Sequence, residues 1–380
     1  MEETMLNIEK IDTNNKSLVK RFVRIPYRLY KNHPQWVPPL FMDAETQLNR
    51  SKHPYYEHSD ADFFIATRDG RDVGRIAALE NKRFNAYHKT KQAQFYLFEC
   101  EDDQEAADAL FTRVFDWAKG RGLDNIVGPK GFGVLDGYGI QIEGYEHRQI
   151  MTMMNYNYPY YVGLVESIGF TKEVDFVSCY LSKEAFHLPE RVYRIVDRVK
   201  KHNNLGVQRF ESKKDLKAWA PRIGRLYNES FINNWEYYPL TDREIQFLLE
   251  NILTVADPRL IKIITHNENE AIGFLFGFPD LSAALQRAKG RLLPFGLIDL
   301  MMEMKKTKWV SLNGAGVLPE YKGVGGNALL YVEMEKTLHD FNFDHADLTQ
   351  VAETAVEMRH DLENVGGRAY KNHRVYHKQI

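Results

Sequence analysis

The sequence predicts an α/β protein made of two domains built to one plan. Three observations carry this. The chain, at 380 residues, is longer than one ordinary domain. The order hairpin, strand, helix, strand, helix, strand can be read twice along it. One strand-to-helix junction in the second copy is a glycine loop introduced by a lysine.

In the first half, "DFFIATRDGRDVGRIAALEN" is two alternating or apolar runs joined by Arg-Asp-Gly-Arg, with glycine where a hairpin turn needs a positive φ. The strand "QAQFYLFE" follows, then a helix from about Asp103 with Leu110, Val114 and Trp117 on one face. After a strand near "NIVGP", a second helix carries Tyr161, Leu164 and Ile168 and stops at Gly169-Phe170, before the strand "DFVSCYL".

The second half repeats the series. Its hairpin is "RLIKIITHNENEAIGFLFGF" and its next strand "KWVSLNGAGVL"; Leu330, Met334, Leu338 and Phe341 then recur at helical spacing. The strand "HADLTQV" leads to a last helix that ends at Gly366-Gly367, before "AYKNHRVYHK". Between the halves "PERVYRIVDRVKKHNN" reads as an amphipathic connecting helix, which sets the expected division: one domain over 1–185, a connector over 186–205 and a second domain over 206–380.

Composition excludes several classes. Lys plus Arg, 50, nearly cancels Asp plus Glu, 52, and a net charge of −2 argues against a nucleic-acid partner. Cys100 and Cys179 are far apart with no CxxC, so neither structural zinc nor a disulfide framework is expected, and no metal is; a reducing cytoplasm fits. The longest apolar run, 292–304, is interrupted by Pro294, Gly296 and Asp299, too short and too broken to span a bilayer.

The glycine loop, residues 322–327, carries the chemistry. Helix-start N–H groups lack partners, the helix dipole favours an anion there, and glycine lets the backbone approach a phosphate. No GxxxxGK is present. Gly323, Gly325 and Ala328 match a dinucleotide fingerprint, but "PEYK" separates them from the strand.

"VLPEYKGVGGNALL" resembles the pyrophosphate loop of the GNAT acetyltransferases, and "DLENVGGRAYKNHRVYHK" resembles that family's last helix, glycine stop and final strand. More narrowly, the chain resembles bacterial proteins with two GNAT-like domains in tandem, on "WVPPL", "VGRIAALEN", "NYNYPYY" and "IGFTKEVDF" in the first half and "LYNESFINNWEYYPLT" in the second. The resemblance implies mixed, largely antiparallel sheets. It also implies an acyl-CoA-dependent N-acyltransferase, using acetyl-CoA or another acyl-CoA as substrate, with a small-molecule or peptide amine as acceptor.

On this resemblance the donor would meet Val317, Leu318, Lys322, Gly323, Val324, Gly325, Gly326 and Asn327 in the second domain. Glu353 and Asp280 are the candidate bases, and Tyr376 the candidate acid for the leaving thiolate. The family's usual helix tyrosine is Leu362 here, and its usual asparagine is Ala355. In the first half "FECEDDQEAAD" crowds acids onto the matching helix start, where they would repel a pyrophosphate. The alternative expectation is a catalytically inactive protein whose interdomain groove recognises a peptide, aminoacyl or lipid-like ligand.

Overall fold

The computed structural model describes residues 5–380 apart from 152, 203, 233, 268 and 269. The chain enters through β1 (Leu6–Lys10), α1 (Lys16–Leu29) and α2 (Phe41–Leu48). The first series of elements follows: β2 (Asp60–Arg68), β3 (Arg71–Glu80), α3 (Lys82–His88), β4 (Gln92–Cys100), α4 (Gln104–Lys119), β5 (Asn125–Gly128), β6 (Ile140–Glu143), α5 (Tyr160–Ser167) and β7 (Thr171–Ser182).

The second series runs α6 (Glu190–His202), β8 (Leu205–Arg209), α7 (Lys213–Ala218), α8 (Ala220–Ser230), α9 (Asp242–Val255), β9 (Ile261–His266) and β10 (Glu270–Pro279). It continues through α10 (Ser282–Ala288), α11 (Gly296–Lys306), β11 (Trp309–Val317), α12 (Gly326–Asp340), β12 (His345–Ala352), α13 (Val356–Asn364) and β13 (Arg368–Gln379). The hairpin expected at Asp69-Gly70 forms with both residues in the left-handed region, φ 50° and 76°.

The compact units are discontinuous in the chain. Unit 1 is Met1–Phe176 with Ser282–Met301 and Lys371–Ile380; unit 2 is Val177–Leu281 with Met302–Tyr370. The connecting helix α6 thus belongs to unit 2, and the last ten residues, Tyr376 among them, belong to unit 1.

In unit 1 the strand order is β1-β2-β3-β4-β5-β13, with β6 also on β13. The ladders β1–β2, β2–β3, β3–β4, β5–β13 and β6–β13 are antiparallel, and β4–β5 is parallel. One face buries Phe95, Leu110, Phe111, Val114, Val165, Phe170 and Tyr376 beneath α4 and α5. The other buries Phe22, Val23, Phe63, Ile65 and Phe132 against α1 and the β2–β3 hairpin. In unit 2 the order is β12-β11-β10-β9-β8; β11 and β12 are parallel, and the ladders β10–β11, β9–β10 and β8–β9 are antiparallel. The sheets are therefore mixed and largely antiparallel.

Ladder register equates the two units residue by residue. Gly74 pairs with Cys100 as Gly273 pairs with Val317, and Leu79 pairs with Gln94 as Phe278 pairs with Ser311. At the matching point in the bulged strand, Leu97 has φ 51° and Gly314 φ 121°.

Candidate active site

In each unit two parallel strands separate after a short ladder. In unit 2, β11 and β12 pair from Trp309↔His345 to Leu312↔Leu348, yet β11 continues to Val317 and β12 to Ala352. In unit 1, β4 and β5 pair from Gln92↔Asn125 to Gln94↔Val127, while β4 continues to Cys100. Each pair leaves a wedge lined by main chain.

The antiparallel neighbour on the far side fixes which groups face it. Leu318 N–H donates to Ile272 O at 2.8 Å, and Glu101 N–H to Val73 O at 2.9 Å. Because such bonds alternate along an antiparallel ladder, the preceding residues, Val317 and Cys100, turn their N–H and C=O away from that ladder and into the wedge.

Unit 1 closes its wedge with its own side chains. Cys100 N–H donates to the Tyr161 hydroxyl at 3.0 Å, and the Tyr160 hydroxyl donates to Cys100 O at 2.8 Å. Tyr161 and Tyr30 in turn donate to Glu99, at 2.9 and 2.7 Å. Burial pushes the Glu99 carboxyl up, opposed by the Arg75 guanidinium at 3.8 Å, and drives both tyrosines far up.

Counted back from the positive-φ glycines that end the two helices, Gly169 and Gly366, Tyr160 and Tyr161 fall where unit 2 has Glu357 and Met358. Glu357 is exposed and Met358 half-buried. Among the described residues no side chain is bonded to the main chain of Val317.

The helix starts differ in the same sense. In unit 1 the N-cap Asp103 accepts the Ala106 N–H at 3.1 Å, and Arg68 binds both Asp103 and Glu105, so the helix start is satisfied internally. In unit 2 the N-cap of α12 is Gly325, with φ 99° and no side-chain cap. Lys322, Gly323 and Val324 are exposed, and a Cβ on Gly323 would meet nothing within 4 Å.

Gly325 serves close packing: a Cβ there would lie 2.5 Å from Val199 and 3.0 Å from Ile195 on α6. That helix carries exposed Arg191, Arg194, Arg198, Lys200 and Lys201. Lys322, the uncapped first turn and the basic α6 together fit a polyanionic group.

The sequence-derived bases both lie in unit 2. Asp280, just past β10, is 2% exposed, and its N–H donates to Trp309 O at 3.0 Å. Glu353 is half-buried in the turn between β12 and α13. Tyr376 is in unit 1, fully buried, with its hydroxyl donating to Glu166 at 3.1 Å. Leu362 is a core residue of unit 2, and Ala355 caps α13 without a side-chain bond.

Sequence reasoning missed the polar cluster at the foot of the unit 2 wedge. Asp347, fully buried, accepts from the hydroxyls of Tyr370 and Thr349, and Thr349 is 3.0 Å from Ser311. Burial and the charge of Asp347 push the Tyr370 hydroxyl far up. The available signal was polar residues at 347 and 349, alternating with Ala346 and Leu348 in a strand buried on both faces. Among the described residues no cluster of three or more His, Cys, Asp or Glu is arranged to hold a metal.

No protein-family model matches the chain. It is 29% identical to a bacterial ceramide synthase of Caulobacter vibrioides, over 100% of this chain and 99% of that protein. It is 26% identical to protein YghO of Escherichia coli, over 96% and 94%. Among solved structures, a tandem GNAT protein from the clavulanic acid biosynthesis pathway matches with a TM-score of 0.57 at 11% identity, over 99% of this chain and 98% of that one. A GCN5-related N-acetyltransferase from Sphaerobacter thermophilus matches at 0.51 and 11%, over 98% and 95%. With a doubled series of elements and a parallel wedge in each unit, the chain has the fold of the tandem GNAT proteins.

Proposed function

We propose that this protein is an acyl-CoA-dependent N-acyltransferase acting through unit 2, and that its acceptor is the primary amine of a long-chain amino alcohol, giving an amide of the ceramide class. The observation that carries the reading is the contrast between the wedges. One is sealed by Tyr160, Tyr161 and Asp103; the other leaves Val317 and the start of α12 free. The likeness to a ceramide synthase along the whole chain supports the acceptor and an acyl group longer than acetyl. Two unpaired buried cysteines, Cys100 and Cys179, support a cytoplasmic setting, and no described helix is long and apolar enough to cross a membrane.

In this reading Lys322, the amides of 323–327 and the basic α6 hold the donor's phosphates, and Val317 with Leu318 lines its thioester arm. The Val317 N–H stabilises negative charge on the thioester oxygen as the amine nitrogen attacks. The C–N bond forms, the C–S bond breaks, the amine proton passes to a carboxylate, and the thiolate leaves to be protonated as free thiol. Glu353 is the favoured acceptor of that proton, since the parallel register that sets Leu348 beside Leu312 carries it to the level of Val317, whereas Asp280 is bonded to Trp309, roughly 25 Å down the strand from Val317.

The test is to incubate the purified protein with palmitoyl-CoA and sphinganine, reading amide by mass spectrometry and released thiol by a colorimetric reagent. Amide and thiol formed in equal amounts, and only with both substrates, support the reading. Saturable acyl-CoA binding without any amide would favour the binding-protein alternative instead.

A further inference from the structure

The segment following α10 is held firmly on one side and bare on the other. The Gln286 side chain donates to Pro34 O and Trp36 O at 2.8 and 2.9 Å, Ser282 accepts the Met151 N–H at 2.6 Å, and Phe41 N–H donates to Gly290 O at 2.9 Å. All these partners belong to unit 1. Arg287 then binds Asp299 through two bonds of 2.8 Å, fixing the start of α11 against α10.

What this scaffold presents is apolar and open. Leu293 is 75% exposed, Phe295 76%, Leu297 48%, Ile298 56% and Met301 57%, and α11 buries no residue at all. Leu297, Ile298 and Met301 fall at helical spacing on one face, with Leu293 and Phe295 in the turn before it. Such a concentration of exposed apolar side chains marks an interaction surface.

Its surroundings are basic. Between residues 287 and 308 six basic residues stand against two acidic ones, a local +4 in a chain whose net charge is −2. Lys289, Arg291, Lys305 and Lys306 are exposed at its two ends. Aliphatic, thioether and Phe side chains flanked by cations match the boundary of an anionic bilayer, with the apolar groups among acyl chains and the cations at the headgroups.

We propose that residues 289–306 form a membrane-docking element by which the protein sits on anionic lipid surfaces without spanning them. The element needs no acyl donor and stands apart from the catalytic reading, so each can fail alone. It would place the protein where long-chain amines are dissolved.

The test is flotation of the full-length protein with vesicles of phosphatidylcholine alone and of phosphatidylcholine mixed with phosphatidylglycerol. The protein should float with the mixed vesicles. The double variant Phe295→Glu/Ile298→Glu should lose binding by about tenfold or more at an unchanged melting temperature. Lys289→Ala and Arg291→Ala should each weaken binding to the mixed vesicles by about fivefold. Wild-type protein that stays with the soluble fraction, or a double variant that floats as well as wild type, would overturn the proposal. So would a wild-type dimer that the double variant converts to monomer without any vesicle binding, because the face would then be covered by a second copy.

Discussion

The Tyr161 hydroxyl accepts the backbone N–H of Cys100 at 3.0 Å and donates to Glu99 at 2.9 Å, filling in unit 1 the place left open beside Val317 in unit 2. Tyr161→Phe should leave a buried N–H and a buried carboxylate each short of a partner. The expected loss is about 1–3 kcal/mol in urea unfolding, with acyl-CoA affinity unchanged. Unchanged stability would show that the network does not hold the wedge shut.

Gly323 and Gly325 should respond differently to the same substitution. Gly323→Ala meets open space and bears only the left-handed backbone at φ 78°, for about 1–2 kcal/mol. Gly325→Ala adds overpacking against Val199 on α6, and should cost about 2–5 kcal/mol. Thermal unfolding of the two variants side by side checks the order; equal losses would mean that α6 yields to the new methyl group.

Level with Val317, Glu353→Gln should lower turnover by about 100-fold or more without changing acyl-CoA affinity, as for loss of a general base. Asp280→Asn should change turnover little. The reverse ranking in steady-state kinetics would move the proton acceptor to the start of β11.

His373 sets a pH dependence in unit 1. It is fully buried, its Nε2 is 3.0 Å from Asn155 O, and burial lowers its pKa to about 4. The unfolded imidazole titrates near 6.5, so between about pH 6.5 and 4 the unfolded chain binds the extra proton and stability falls as pH falls. This loss approaches about 3 kcal/mol at the acid end. Asp136, pushed up to about 6 by burial, works in the opposite direction: it is protonated earlier in the fold than in the unfolded chain and offsets part of the loss below pH 6. Subtracting the stability profile of His373→Gln from that of wild type isolates the histidine contribution. A difference flat from pH 7 to 4 would contradict it.

Much of this was legible in the sequence because it is local. Alternating runs around Asp69-Gly70, helical spacing through Leu330 and Met334, and glycine stops at Gly169 and Gly366 each fix an element within a few residues. The acidic run at Asp103 and the glycine run at Gly325 likewise showed which helix start is capped and which is free. Tertiary facts had no such signal. That β13 delivers Tyr376 to unit 1, with Tyr370 left beside Asp347 in unit 2, depends on pairing with β5 across more than 200 residues of sequence, Tyr376 opposite Gly128. The packing of Val199 against Gly325 also joins segments distant in the chain, and polar residues at 347 and 349 alternating with Ala346 and Leu348 read equally as the solvent face of a half-exposed strand.

The most direct measurement is titration calorimetry of palmitoyl-CoA into wild type, Lys322→Glu and Asp103→Asn. Lys322 is exposed with an ordinary backbone, φ −65°, so its charge reversal tests the loop without straining it. A single saturable site is expected, weakened about tenfold or more by Lys322→Glu and unaffected by Asp103→Asn. No saturable binding, or a site that responds to Asp103 and ignores Lys322, would contradict the placement of the donor in unit 2.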